Sequence, residues 1–206
     1  MLFNILAIIS FFIILLNLNT LTGVFPSLIA CLIRWKESVN LDASVQLSRD
    51  RDLMTATLII PFCLVAYKHH LYTPSWIEGM NVNAGLAATT GIFAAFILLR
   101  TLLEYWMRPT KMNPKTYRTA CKASYTFFSI LTLISLCVGG IMTFADANPE
   151  AIKNAILCIS ATIYALHLVR KFQIFVSSCS FFAAFLYLCA LEIFPTGLLV
   201  FSASVF

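Results

Sequence analysis

The chain has 206 residues, of which 60% are hydrophobic and 11% are charged, with a net charge of +5. Soluble domains carry about a quarter charged residues, and the mean hydropathy here is +0.88. This composition excludes a disordered chain, a nucleic-acid-binding domain and an ordinary soluble enzyme. It predicts an all-α, polytopic integral membrane helical bundle. At about 20 residues per crossing, we expect about six transmembrane helices, within a range of about five to seven.

Seven apolar runs divide the chain, and together they form a single predicted transmembrane domain. They cover approximately residues 2–16, 21–35, 53–72, 86–107, 125–144, 155–175 and 179–202. The first has the length of a signal peptide but lacks a basic start and an A-x-A site, so we expect a retained helix. The core of the second, 24–35, rises only about 18 Å as a helix. That run could cross, tilt, re-enter or form the second arm of a hairpin.

The segments between the runs set the expected orientation. Residues 36–52 mix acids and bases, which predicts a surface loop or an interfacial helix, and 108–124 is a predicted loop with five basic residues and no acid. If that loop is cytoplasmic and the spans alternate, eleven of the 14 Lys and Arg residues face the cytoplasm. This asymmetry obeys the positive-inside rule and predicts the inner (cytoplasmic) membrane. Trp35, Trp76 and Trp106 fall near span ends, as aromatic belts do.

Ionisable residues inside the apolar runs are the candidate functional residues, because a buried charge is costly in a membrane. The candidates are Arg100, Glu104, His167, Arg170, Lys171 and Glu192. The helical spacing places the first two on one helix face with Arg108, and places His167, Arg170 and Lys171 on another. We expect Glu104 to pair with Arg170 or Lys171.

Glu192 is the most unusual of these residues, because it has no basic neighbour in sequence and lies close to Pro195, where we expect a helix break. Arg100 is its plausible partner on another helix. Two interpretations of the six residues remain open. They could form polar contacts between helices and extend their charged ends to the membrane surface. Alternatively, they could line a polar cavity that binds a head group, a proton or a partner helix.

Histidine and cysteine patterns predict no metal or cofactor. His69 and His70 point about 100° apart on a helix and lie toward the opposite side of the membrane from His167, which argues against a bis-histidine haem. The seven cysteines contain no C-x-x-C pair and lie mostly in apolar runs, which favours neither a zinc site nor a disulfide framework.

The stretch LYLCALEIFP at 186–195 resembles an uncharacterised family of polytopic inner-membrane proteins from Bacteroidota. The resemblance covers roughly residues 50–206, and the run around Arg100 and Glu104 fits it more loosely. It implies an inner-membrane location in a Gram-negative envelope, and it brings no assigned reaction.

The sequence leaves three functions open. We expect a non-catalytic subunit that scaffolds or stabilises a larger envelope or secretion-type complex, in contact with membrane lipids and other integral membrane proteins. The first alternative is a small conduit or a lipid- or small-molecule-binding protein with a polar intramembrane cavity. The second is a membrane enzyme of unknown type, for which no H-E-x-x-H, G-x-S-x-G or P-loop motif is present.

Overall fold

A computed structural model describes residues 2–71, 74, 77, 79–107 and 113–205. Within these residues the secondary structure is helical, and no strand occurs. The predicted loop residue Trp76 and the basic residue Arg108 lie outside the described residues. The helices are α1 (Leu2–Leu16), α2 (Leu18–Ile33), α3 (Trp35–Ala43), α4 (Val45–Lys68), α5 (Val82–Trp106), α6 (Pro114–Phe144), α7 (Pro149–Val176), α8 (Phe181–Leu188), a π-helix (Cys189–Ile193) and α9 (Phe194–Val205).

The two longest helices begin at the same sequence signal, an asparagine followed by proline. The side chain of Asn113 accepts a hydrogen bond from the backbone N–H of Lys115 at 3.0 Å, and Asn148 accepts one from Glu150 at 3.0 Å. Asparagine is a preferred N-cap, and proline suits the first helical position because its missing N–H has no partner there anyway. The chain therefore specifies the starts of α6 and α7 locally.

Helix α6 lies at the centre of the bundle and packs against α4 and α7. Its buried face carries small polar residues as well as apolar ones, including Thr126, Ser129 and Thr132. The Ser129 hydroxyl lies 3.0 Å from that of Thr55 on α4, which allows the two helices to approach closely. Small hydroxyl residues therefore position α4 against α6.

Four helical segments are long and apolar enough to cross a membrane: α5, α6, α7 and the stretch Phe181–Ala203 that joins α8 to α9. Helices α1 and α2 pass the same test only as a pair, with a bend of 73° between them, so the pair counts as one broken span or as a re-entrant loop. Helix α4 is not among these segments. Its apolar part after Asp52 rises only about 24 Å. The described helices thus fit a membrane bundle, and a total of about six crossings stays a prediction.

Two polar segments are helical, one predicted to be a surface loop or an interfacial helix and the other predicted to be a loop. Residues 36–52 form most of α3 and the first two turns of α4, and the predicted loop 108–124 becomes helix from Pro114 onward. In both segments some polar side chains contact neighbouring helices, because Lys122 and Thr119 of the second segment contact Asp52 and Asp42 of the first. A helix can therefore continue through residues that are polar in sequence.

A first group of charged and hydroxyl side chains connects α3, α4 and α6. We call it the Arg51 cluster, and it comprises Asp42, Ser48, Arg51, Asp52, Thr119 and Lys122. The Arg51 guanidinium is 1% exposed and lies 2.8 Å from Asp52 and 3.4 Å from Asp42. Lys122 lies 2.6 Å from Asp52, and Thr119 donates to Asp42 at 3.0 Å. Burial raises the pKa of Asp52, but hydrogen bonds from Lys122 and Arg51 outweigh burial and hold that pKa below its usual value.

We expect Arg51→Ala to lower the free energy of unfolding by about 3 kcal/mol, because it leaves Lys122 as the only cation facing the two carboxylates Asp42 and Asp52. Arg49 lies two residues earlier and is exposed, so Arg49→Ala is the matched control and is expected to change stability by no more than about 0.5 kcal/mol. Chemical unfolding of both variants in mild detergent measures the difference. Equal effects of the two substitutions would contradict a structural role for the cluster.

Candidate functional site

Glu192 is the centre of a second charged group, which we call the Glu192 cluster and which comprises Arg100, Glu104, Ser124, His167, Lys171 and Glu192. The carboxylate is 2% exposed. Its Oε1 atom forms ion pairs with the Arg100 guanidinium and the Lys171 ammonium. Lys171 is fully buried. The structure thus places Arg100 on α5 against Glu192, which is the pairing that the sequence suggests.

Glu104 completes the charge balance of the cluster. Its Oε1 atom lies 3.4 Å from Arg100 Nε, one helical turn away on α5, and 3.8 Å from Lys171 Nζ on α7. Two cations therefore face two carboxylates, and the net charge is zero when His167 is neutral. Charges this deeply buried persist only when they are compensated in this way.

A π-helix presents Glu192 to its partners. In an α-helix, Pro195 would leave the carbonyl four residues earlier without a donor. Here Cys189–Ile193 is wound as a π-helix, in which the N–H of Phe194 donates to the carbonyl of Cys189. The Tyr164 hydroxyl on α7 donates to the Glu192 carbonyl at 3.1 Å. Near the predicted helix break at Pro195, the regular α-helix is interrupted by this wider turn, and Phe181–Ala203 still forms one span.

His167 lies one helical turn before Lys171 on α7 and is 4% exposed. Its Nε2 atom lies 3.4 Å from Glu192 Oε1 and 3.5 Å from the hydroxyl of Ser124. Its ring packs beside that of Phe127, with 5.1 Å between the centroids. Its other nitrogen, Nδ1, is buried and has no hydrogen-bond partner among the residues that the structure describes. An unpaired buried polar atom is unusual enough to require an explanation.

Arg170 lies apart from the Glu192 cluster, although it precedes Lys171 directly. Its guanidinium donates to the carbonyls of Leu32 at 3.0 Å and Ile33 at 2.7 Å, and to the side chain of Gln173 at 2.9 Å. These are the last carbonyls of α2, which have no donor within their own helix. Of the two predicted partners of Glu104, Lys171 is therefore the one in contact, and Arg170 caps α2.

Sequence reasoning missed Ser124 and the whole Arg51 cluster. A signal was present, because Ser48, Arg51, Asp52 and Thr55 follow one another at helical spacing and form one polar face. That face continues into the apolar run 53–72, which a surface loop would not do. Within the described residues, no group of three or more His, Cys, Asp and Glu side chains could hold a metal ion.

A match to a known protein family covers nearly the whole chain. The family described as "Domain of unknown function (DUF4271)" matches residues 2–201. The chain belongs to this family. The match includes the first 50 residues, which the resemblance around 186–195 left out, so α1–α3 are part of the family domain. No curated protein and no solved structure matches the chain.

We expect Glu192→Gln to lower the free energy of unfolding by about 3–5 kcal/mol, because it leaves the buried charges of Arg100 and Lys171 with too little compensation. Glu150 is exposed in the first turn of α7, and Glu150→Gln is the matched control. Thermal and chemical unfolding in mild detergent measures both variants. Wild-type stability of Glu192→Gln would show that the ion pairs contribute nothing to the fold.

Proposed function

We propose that the protein is a non-catalytic, multi-pass subunit of the inner (cytoplasmic) membrane that scaffolds or stabilises a larger envelope or secretion-type complex. In this proposal the 108–124 segment faces the cytoplasm, following the excess of Lys and Arg there. The resemblance of the 186–195 stretch supports a Gram-negative Bacteroidota envelope as the setting. Scaffolding fits the two charged clusters, because their ion pairs are formed within the chain and hold its helices together.

The observation that carries this proposal is the exposed face of α5. Within an apolar stretch of 18 residues in α5, only 17% is buried inside the chain, whereas the corresponding share in the three other long spans is 28–33%. Ala87, Gly91 and Ala95 follow one another at four-residue intervals on this face, and all three are exposed. A Cβ added at Gly91 would meet nothing within 4 Å. Small residues at this spacing let a second transmembrane helix approach closely, so we assign this face to a partner protein.

We expect Gly91→Leu to reduce the recovery of integral membrane partners about tenfold, which corresponds to about 1.4 kcal/mol of association energy. The bulky side chain keeps the partner helix at a distance but touches nothing within the chain. Gly140→Leu is the matched control, because Gly140 is also exposed on a long helix with open space around it.

The measurement is purification of a tagged chain from native membranes in mild detergent, with quantitative mass spectrometry against an untagged control. A near-stoichiometric set of membrane proteins that Gly91→Leu loses and Gly140→Leu keeps supports the proposal. A lone, monodisperse wild-type chain contradicts scaffolding. A partner set that both variants keep contradicts the assignment to α5.

A second candidate function is favoured by His167. We propose as the alternative a small conduit or a protein that binds a lipid or small molecule at the Glu192 cluster. The Nε2 atom of His167 contacts Glu192 of the π-helix while Nδ1 stays unpaired, and π-helices are frequent at functional sites. A ligand that donates a hydrogen bond to Nδ1 would satisfy this atom.

His167→Phe separates the two candidates, because it keeps a ring against Phe127 and removes both nitrogens. If the cluster is structural, we expect the variant to accumulate and remain folded, since Glu192 keeps Arg100 and Lys171 as partners. If the cluster binds a ligand, native mass spectrometry of the purified wild type shows a bound small molecule that the equally stable variant lacks. Identical spectra for the two proteins would contradict the ligand-binding alternative.

A further inference from the structure

A groove of about 440 Å³ lies between the start of α3 and the junction of α7 with α8. Its walls are mostly aromatic and aliphatic, and it is lined by Trp35, Phe172, Gln173, Val176, Ser177 and Phe181. The rings of Phe172 and Phe181 meet edge to face, with 5.2 Å between their centroids. The groove is separate from the Glu192 cluster.

The groove lies where apolar helices end. Helix α2 ends at Ile33, just before Trp35, and α7 ends at Val176, just before α8 begins at Phe181. The ends of transmembrane helices lie at the boundary between hydrocarbon and water, where tryptophan is enriched. This is the position expected of a groove whose apolar walls reach into the membrane and whose mouth opens at the level of the lipid head groups.

Two cations contact residues that line the groove. The Lys36 ammonium lies 5.9 Å from the centre of the Trp35 ring, and the Arg170 guanidinium donates to the Gln173 side chain at 2.9 Å. The neighbouring acid on α3, Glu37, accepts a hydrogen bond from Asn40 at 3.3 Å. The groove thus combines an apolar floor with a positively charged rim.

We propose that this groove binds one anionic glycerophospholipid. An acyl chain would lie against Phe172, Val176 and Phe181, and the head-group phosphate would lie between Lys36 and Arg170. Charge complementarity selects this occupant, because a second apolar helix would leave the two cations facing hydrocarbon. The site does not depend on the scaffolding function, and it belongs to the leaflet that the basic segments face.

Native mass spectrometry of the full chain tests the site. The protein is equilibrated with equal amounts of phosphatidylglycerol and phosphatidylcholine in mild detergent, and the retained lipids are counted. We expect the wild type to retain one phosphatidylglycerol in preference to phosphatidylcholine. Lys36→Gln should lower that preference about fivefold, because one lysine near a membrane surface contributes about that factor. Lys115→Gln is the control, because Lys115 is also exposed at a basic segment but does not flank the groove.

A second variant tests the apolar part of the groove. Val176 is 39% exposed, so Val176→Trp fills the groove without disturbing the core, and we expect it to reduce retention of the bound lipid severalfold. Equal retention of the two lipids by the wild type would overturn the proposal. Equal losses in Lys36→Gln and Lys115→Gln would also overturn it, because they would indicate diffuse attraction to the basic surface. Unchanged retention by Val176→Trp would place the lipid elsewhere.

Discussion

A charge buried among apolar helices must be compensated by an opposite charge, and this constraint organises the whole bundle. Glu192 cannot reach water, so α5 and α7 must bring Arg100 and Lys171 to it, and Glu104 must balance the second cation. The Arg51 cluster follows the same rule with Asp42, Asp52 and Lys122. Each cluster joins helices that are distant in sequence, and each has a net charge of zero when its histidine, where present, is neutral. The relative positions of the helices therefore follow from charge pairing as well as from apolar packing.

Two helices connect these polar regions. Helix α6 contributes Lys122 to the Arg51 cluster and, two residues later, Ser124 to the Glu192 cluster. Helix α7 contributes Lys171 to the Glu192 cluster, while the preceding Arg170 caps α2 and flanks the interfacial groove. Our proposals assign separate regions to three roles: the clusters stabilise the fold, the exposed face of α5 binds a partner, and the groove binds a lipid.

The sequence predicts the helical membrane class and the special character of Glu192, because both depend on composition and on single residues within apolar runs. It also predicts the partner Arg100, since few cations occur inside the spans. It could not distinguish Arg170 from Lys171, because neighbouring residues point about 100° apart on a helix and only packing decides which one faces inward. The Arg51 cluster depends on contacts between residues some 70 positions apart, such as Lys122 with Asp52. Pro195 predicts an interruption, but the wider π-turn that absorbs it depends on the surrounding helices.

A double-mutant cycle on Lys171 and Glu192 tests mutual compensation most directly. Lys171→Met, Glu192→Leu and the double variant are unfolded in mild detergent, and their free energies of unfolding are compared with the wild type. Mutual compensation predicts that each single variant loses about 3–5 kcal/mol, because each leaves a buried charge underpaired. The double variant should lose at least about 2 kcal/mol less than the two single losses combined. Losses that add to within about 0.5 kcal/mol would show that the two charges are independent, and they would contradict charge compensation as the constraint that organises the bundle.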